Sequence, residues 1–315
     1  MSCDLVTIGC VCADVKAQPV DELPKRGTLG LIPSLDMAMG GLAGVTAAVF
    51  SQLGGQAAFT GCLGNDAFGD FLIQAFHDAN VNTDGIRRVD GTSSAATVVL
   101  IDSEGERTFL HNVGTVGIVS ENDIDFELVG KSKVFHWGGP GLTPMLHGAP
   151  IGRVFERVQA MGVKTSIDTC FDGSNTWLPL MEAALPHTNI ICTSMSEAPH
   201  YTGTSEPEEI LQFFLNYGVE SILLKMGGDG LMVCNATERH YFGRHDVSVV
   251  DGTGAGDAAC AGFLHGLING WNLERCGALA NAVGALTVQT AGTAGSNISL
   301  EAAEALAASQ PCLQP

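Results

Sequence analysis

The sequence has little positive charge. Its 15 Lys and Arg residues stand against 34 Asp and Glu, which gives a formal net charge of −19. Nucleic acids and anionic membranes are bound mainly by basic surface, so we expect neither as a partner. An anionic ligand would have to be held by backbone N–H groups, by a metal ion or by a few selected basic side chains.

The sequence also lacks a targeting segment and a cysteine framework. No basic segment precedes an apolar run at the N-terminus, so no signal peptide is predicted. The uncharged stretch 37–65 contains seven glycines, which favours a strand, a helix and loops over a membrane span. The ten cysteines are scattered, without disulfide or zinc spacing. We therefore expect a soluble cytoplasmic protein with reduced cysteines.

A dinucleotide-binding fingerprint is missing as well. The first strand leads into "IGCVCAD", whose glycine pattern is not G-x-G-x-x-G, and this argues against a Rossmann dehydrogenase. Elsewhere, short apolar strands alternate with helical segments, which predicts a mainly parallel sheet with helices on both faces. The pattern also predicts a helix in "TWLPLMEAAL" (176–185) and a helix capped by Asn65.

Two segments interrupt this alternation. Residues 11–37 and about 92–114 have the alternating pattern of β-hairpins, and "SEGER" is predicted as a turn between two such runs. Together they could form one small sheet over the carboxyl ends of the body strands, where open α/β sheets bind ligands. We therefore expect a lid inserted in the α/β body.

The most informative stretch is "DGTGAGD" (251–257), which lies between a strand and a helix. The N–H groups of Ala255, Gly256 and Asp257 are then unpaired donors at a helix N-terminus, where an anion is favoured. Asp257 has two interpretations. It is either a first-turn acid that stabilises the helix dipole or a base that takes a proton from a hydroxyl attacking a bound phosphate.

Several further motifs agree with this stretch. They are Asp14 after the first strand, Gly40-Gly41, "LGNDAFG", "KMGGDG" and "ANAVGAL". With "DGTGAGD", they resemble the PfkB (ribokinase-like) family of carbohydrate kinases over essentially the whole chain. The resemblance implies one kinase domain over 1–315, with a three-layer α/β/α body, a mostly parallel central sheet and a small β-sheet lid. Such lids often form homodimers, so a homodimer through the lid is expected.

The resemblance also implies roles for individual residues, and with them ATP, Mg²⁺ and K⁺. Asp257 would be the general base, beside an anion hole formed by Gly254, Ala255 and Gly256. Substrate hydroxyls would bind at Asp14, Gly40 and Gly41. The ATP site would include Ser194, Lys225, Gly227, Gly230 and Asn281. Glu197 would hold Mg²⁺ through water, and a monovalent cation would be held by Asp251 and Thr253 with carbonyls near Val288, Ala291 and Ser296.

Three positions depart from the family pattern. Val45 stands where the family has an asparagine that contacts the sugar, which makes ribose a poor candidate. In "SMSE", Ser194 replaces an asparagine while Glu197 remains, and a serine hydroxyl can still bind a metal-bound water. In "DTCFD", only Asp168 remains of an Asp-x-Asn-x-Arg motif.

The substrate class follows from charge and aromatic side chains. The basic residues near the sugar-side motifs are confined to the lid, which favours a neutral sugar over a sugar phosphate: Lys16, Lys25, Arg26 and Arg107. Phe109, Trp137 and Phe171 could stack on a nucleobase, so a nucleoside stays open as a substrate, although ordinary core or lid packing is the favoured explanation for them. His136 could contact substrate or be a core histidine. The departures also leave open a catalytically silent relative that binds sugar or nucleotide.

Overall fold

The computed structural model describes residues 3–290 and 298–309. Within them, the strands are β1 Leu5–Gly9, β2 Cys12–Gln18, β3 Ser34–Gly40, β4 Ala57–Gly64, β5 Asn82–Val89, β6 Ala96–Ile101, β7 Arg107–Asn112, β8 Val134–Gly138, β9 Lys164–Asp168, β10 Ile190–Ser194, β11 Ser221–Lys225, β12 Leu231–Cys234 and β13 Arg239–Phe242. The α-helices are α1 Leu42–Gln52, α2 Ala67–Asp78, α3 Phe126–Val129, α4 Ala149–Ala160, α5 Ala198–Thr202, α6 Pro207–Asn216, α7 Ala255–Ile268, α8 Leu273–Thr287 and α9 Leu300–Ala308.

The central sheet has nine strands in the order β13-β12-β11-β10-β9-β8-β1-β4-β5. The pairs from β11 through β5 are parallel, and the pairs β11–β12 and β12–β13 at one edge are antiparallel, so β12 alone among the described strands of this sheet runs in the opposite direction. Parallel neighbours bring their carboxyl ends to one edge of the sheet, which is where open α/β sheets bind ligands. None of the helices in residues 3–290 and 298–309 combines the length and the hydrophobicity that spanning a bilayer requires.

Two apolar clusters cover the two faces of this sheet. Because strand side chains alternate between faces, successive residues of one strand belong to different clusters, as Ile190 and Ile191 do. One cluster takes in α1, α2, α7, α8 and α9, and the other takes in α4, α5 and α6. The result is the predicted three-layer α/β/α body, so the predicted fold class is confirmed.

A separate four-stranded sheet has the order β3-β2-β6-β7. β2 and β3 are antiparallel, β6 and β7 form a hairpin, and β2 joins the two halves by pairing in parallel with β6. The small sheet is called the lid below. Its strands arise from the two segments in which hairpins were predicted, and β3 runs on to Gly40.

Two local predictions were wrong. The predicted helix over 176–185 is a pair of short 3-10 turns, Leu178–Leu180 and Glu182–His187, with a proline in each. Proline removes a backbone donor and clashes with the preceding turn, which explains the lack of an α-helix. The cap of α2 is Asp66, whose Oδ1 accepts from the Gly69 N–H at 2.7 Å, whereas Asn65 donates to Asp90.

Candidate active site

The candidate site lies where β9, β10 and β11 end, beside the beginning of α7. Asp168 is the last residue of β9, and Lys225 is the last residue of β11. Nζ of Lys225 lies 2.7 Å from Oδ1 of Asp168, in an ion pair whose side chains are 14% and 0% exposed. A buried ammonium and a buried carboxylate therefore meet at the bottom of the cleft.

Further carboxylates surround this pair. Burial raises the pKa of Asp168 to about 7, with Lys225 opposing the shift and the charges of Asp257 and Glu197 adding to it. Burial also raises the pKa of Asp257 to about 6, opposed by Lys225 and reinforced by Glu197 and Asp14. For Lys225, burial alone would lower the pKa, but the charges of Asp168 and Glu197 raise it overall. Lys225 therefore stays charged.

The beginning of α7 has the features of an anion site. Gly254 precedes the helix with φ of 78°, and no side chain caps the first turn. The Ala255 N–H makes only a long 3.4 Å contact with the Gly252 carbonyl. Lys225 supports this end of the helix, since a Cβ placed on Gly256 would lie 3.4 Å from its Nζ. Backbone donors and one ammonium thus converge on one point.

A cavity of about 580 Å³ opens next to this point. Its walls come from the end of β11, the following turn, the segment 244–249 and the small side chains of α7 and α8. Gly227, Gly230 and Asn281, which the resemblance placed at ATP, all line it. The size and the lining of small residues suit a nucleotide, and the cavity ends at Gly256.

Two of these residues shape the wall rather than offer a free polar group. Gly230 has φ of 100°, and a Cβ there would lie 1.9 Å from the Phe242 carbonyl oxygen, so the turn requires glycine. Nδ2 of Asn281 donates to the Gly243 carbonyl at 2.8 Å, which ties α8 to the segment that borders the cavity.

Asp14 belongs to the lid and faces the cleft. Its Oδ1 accepts from the Cys12 thiol at 3.3 Å, and burial raises its pKa. A Cβ on Gly40 would lie 2.2 Å from Oδ2 of Asp14, so the carboxylate can occupy this place only beside glycine. Gly41 then leads directly into α1, and Thr46 of that helix donates to the Asp257 carbonyl at 3.3 Å.

Phe109 lies on the same lid face as Asp14. Side chains alternate along a strand, so Arg107, Phe109 and His111 of β7 share one face. His111 contacts Thr97, which is paired with Asp14 in the sheet. Phe109, between Arg107 and His111 on this face of β7, is about half exposed, and the Arg107 guanidinium lies 5.9 Å from its ring centroid. An exposed ring thus faces the cleft from above.

Glu197 lies at the beginning of α5, near the end of β10. Its Oε2 accepts from the Thr169 hydroxyl at 2.9 Å, and the hydroxyls of Ser194 and Ser196 lie 2.8 Å apart. Oδ2 of Asp168 is buried and, within the described part of the chain, has no hydrogen-bond partner. These oxygens form a polar wall opposite α7.

Two predicted substrate residues do not reach the cleft surface. Val45 is completely buried in the apolar cluster around α1, where an apolar side chain of this size packs against its neighbours. His136 is also completely buried, with Nδ1 3.0 Å from the Ser166 hydroxyl, and burial lowers its pKa to about 3. It is a core histidine. Trp137 is buried as well, and the exposed Phe171 packs edge-on against Trp177.

The predicted monovalent-cation site is partly described. Asp251 and Thr253 are both engaged by side chains of the lid, Lys16 and Arg107. Ala291 and Ser296, two further predicted ligands, lie outside the described residues. As they stand, the described members do not fit a bound potassium ion.

Sequence reasoning missed some residues of the cleft. Arg244 lines the cavity, and Thr169 holds Glu197. Asp168 was noted only as the remainder of a motif, although it carries the ion pair. A usable signal existed for Asp168, because a charged residue ending a buried strand marks the ligand edge of a parallel sheet.

The chain is similar to proteins of known structure and to a known sequence family. A ribokinase from Arabidopsis thaliana, solved in complex with ribose and ATP, superposes with a TM-score of 0.82 at 26% identity, covering 98% of this chain and 99% of that one. The fold is therefore ribokinase-like. The model of the pfkB family carbohydrate kinases matches residues 3–300, and the chain belongs to this family of hydroxyl-phosphorylating enzymes.

Two named relatives match most of the chain. One is "Probable fructokinase-6, chloroplastic" from Arabidopsis thaliana, 33% identical over 300 residues, which is 87% of this chain and 76% of the relative. Another is the aminoimidazole riboside kinase of Salmonella typhimurium, 29% identical over 265 residues, covering 80% of this chain and 82% of the relative. Sugar and nucleoside kinases are thus both among the relatives.

Replacing Lys225 tests the buried ion pair. Lys225→Met leaves the Asp168 carboxylate buried without its partner, so we expect the free energy of unfolding to fall by about 3–5 kcal/mol. The check is urea denaturation at neutral pH. Lys164→Met is the matched control, because Lys164 pairs with Glu220 at the surface and its loss should cost at most about 1 kcal/mol. Equal effects of the two substitutions would contradict the assignment.

Proposed function

We propose that this protein is an ATP-dependent kinase that transfers the γ-phosphoryl group of ATP to a hydroxyl of a small neutral sugar. Asp257 is the general base, and residues Gly254 to Asp257 form the anion hole. One observation carries the proposal: Asp257 lies in the first turn of α7, close enough to the ammonium of Lys225 and the lid carboxylate Asp14 to feel the charge of each. The charges of both residues act on its pKa.

In this arrangement ATP and the sugar bind on opposite sides of the Asp257 carboxylate. ATP occupies the 580 Å³ cavity, which places its terminal phosphate at the beginning of α7 beside Lys225. The sugar lies under the lid, where Asp14 accepts its hydroxyl hydrogen bonds. Asp257 lies between them and takes the proton of the attacking hydroxyl as the new P–O bond forms and the bond to ADP breaks. Phosphoryl transfer depends on positioning and charge stabilisation, which this geometry supplies.

Magnesium fits the residues opposite α7. Mg²⁺ bound to a nucleotide keeps several waters and uses few protein carboxylates. Glu197, held by Thr169, and the unpartnered Oδ2 of Asp168 would hold those waters, with Ser194 beside them. The ion supplies neutralisation of phosphate charge. Charge balance supports this assignment, because Lys225 and Arg244 are the only Lys or Arg residues lining the described cavity.

The charges of the lid support a neutral sugar. A sugar phosphate would need free cations above Asp14, but Lys16 and Arg107 are paired with Asp251, and Lys25 and Arg26 are exposed.

A nucleoside is the second candidate substrate, and Phe109 is the observation that favours it. The half-exposed ring lies on the lid face that covers the cleft, where a nucleobase could stack. A catalytically silent relative is the third reading. The position of Asp257 beside the anion site argues against it, because a protein that only binds sugar or nucleotide has no need of a base there.

Asp257→Asn tests the base directly. We expect kcat to fall by at least about 10²-fold, because the amide cannot take the hydroxyl proton, while KM for ATP changes little. The measurement is steady-state ADP release with the preferred sugar. Glu274→Gln is the matched control, since Glu274 is the first-turn acid of the neighbouring helix α8. If both variants keep wild-type kcat, Asp257 only stabilises its helix.

The same base predicts the acid limb of the pH profile. Asp257 works only when deprotonated, and its pKa is raised to about 6. Below that pH, kcat/KM of the wild type should therefore fall about tenfold per pH unit, and above it should level off. A profile that stays flat to pH 4.5 would contradict the role.

We also propose that two copies pair through the outer faces of their lids. The strand register aligns four exposed apolar side chains there: Leu35, Met37, Val98 and Leu110. A second copy is the partner of matching character, since an apolar face can cover itself in an isologous contact.

The nine described cysteines are buried and free, which supports a reducing compartment such as the cytoplasm.

Leu110→Glu tests the pairing. A charge on the buried face should convert the dimer to a monomer, measured as mass by light scattering at micromolar concentration. Met161→Glu, at an exposed apolar residue at the end of α4 in the body, should leave the mass unchanged. A wild-type protein with the mass of one chain would refute the dimer.

A further inference from the structure

Two lid cations meet one carboxylate of the body. Nζ of Lys16, on β2, lies 3.2 Å from Oδ2 of Asp251, and Nη1 of Arg107, on β7, lies 3.5 Å from Oδ1. Arg107 also donates to the Thr253 hydroxyl. The side chains of Lys16 and Asp251 are only 9% and 12% exposed, so this is a largely buried contact.

Among the residues that the structure describes, the oxygens of the predicted cation site already have donors or cations beside them. Oδ1 of Asp251 accepts from the Thr253 N–H at 2.9 Å and from the Thr253 hydroxyl at 2.6 Å, and it lies 3.5 Å from Nη1 of Arg107 in an ion pair. The Val288 carbonyl accepts from the N–H groups of Val250 at 2.7 Å and Asp251 at 3.1 Å. A cation replaces its water shell with such oxygen lone pairs, so it would have to displace these donors.

We infer that Lys16 and Arg107 take the place of a monovalent cation at Asp251 and are positioning residues for the anion hole. The inference uses the proposed kinase activity as one of its readouts. Asp251 lies three residues before Gly254, so whatever neutralises Asp251 also fixes the loop that leads into α7. In this chain the neutralising charges are covalently part of the lid.

Because Lys16 belongs to the lid, its contact with Asp251 also fixes the position of the lid. Lys16 and Asp14 lie two residues apart on β2, so they share a face of that strand. The contact that orders the loop before α7 therefore also holds Asp14 over the cleft. Closure of the lid and alignment of the anion hole become one event, without a dissociable ion.

The test compares K⁺ with tetramethylammonium at equal ionic strength. For the wild type we expect kcat/KM for the sugar to differ by less than about 2-fold, and the melting temperature not to depend on K⁺. For Lys16→Met/Arg107→Met we expect at least about a 10-fold loss in tetramethylammonium and at least about a 5-fold recovery in K⁺, as the vacated carboxylate accepts the ion. Lys16→Arg should behave like the wild type.

Lys164→Met, which breaks an exposed ion pair, is the control and should change neither readout. Two results would overturn the inference: K⁺-specific activation or stabilisation of the wild type, or a double variant with wild-type kcat/KM in both salts. If the double variant does not fold, the wild-type comparison still decides. The thermal readout needs no catalysis, so absent kinase activity would refute the proposed function and leave this test standing.

Discussion

The ammonium of Lys225 is the interaction on which the cleft depends. It is buried among the carboxylates of Asp168, Asp257 and Glu197, in a chain with a net charge of −19. Without it, these acids would repel one another and take up protons on burial. With it, Asp168 is anchored at the end of β9, and a positive charge remains beside Gly256, at the proposed anion site.

A small number of basic side chains also pairs with a largely buried carboxylate where the lid meets the body. Lys16 and Arg107 contact Asp251, so a charged contact joins the lid to the body three residues before Gly254, where the proposed anion hole begins. The backbone N–H groups at the beginning of α7 then provide hydrogen-bond donors for a phosphate, which basic side chains would otherwise have to supply. Both contacts use few cations, and both place them where they act on α7.

Much of this was predictable from sequence. The alternation of strands and helices gave the three layers, and "DGTGAGD" located Asp257 at the beginning of a helix, because glycine spacing and helix termini are local properties. The ion pair Lys225–Asp168 was not predictable, since it joins two strands that are 57 residues apart. His136 was misplaced for a related reason: the end of a strand predicts proximity to the cleft, but not which face of the sheet the ring occupies.

The most direct test of the account follows the phosphoryl group itself. ATP labelled in the γ-phosphate would be incubated with Mg²⁺ and a panel of neutral sugars, nucleosides and sugar phosphates, and the labelled products would be separated. The account predicts one strongly labelled product from a neutral sugar and none from sugar phosphates. Nucleotide binding without transfer to any member of the panel would contradict it, and the protein would then be a silent binding relative.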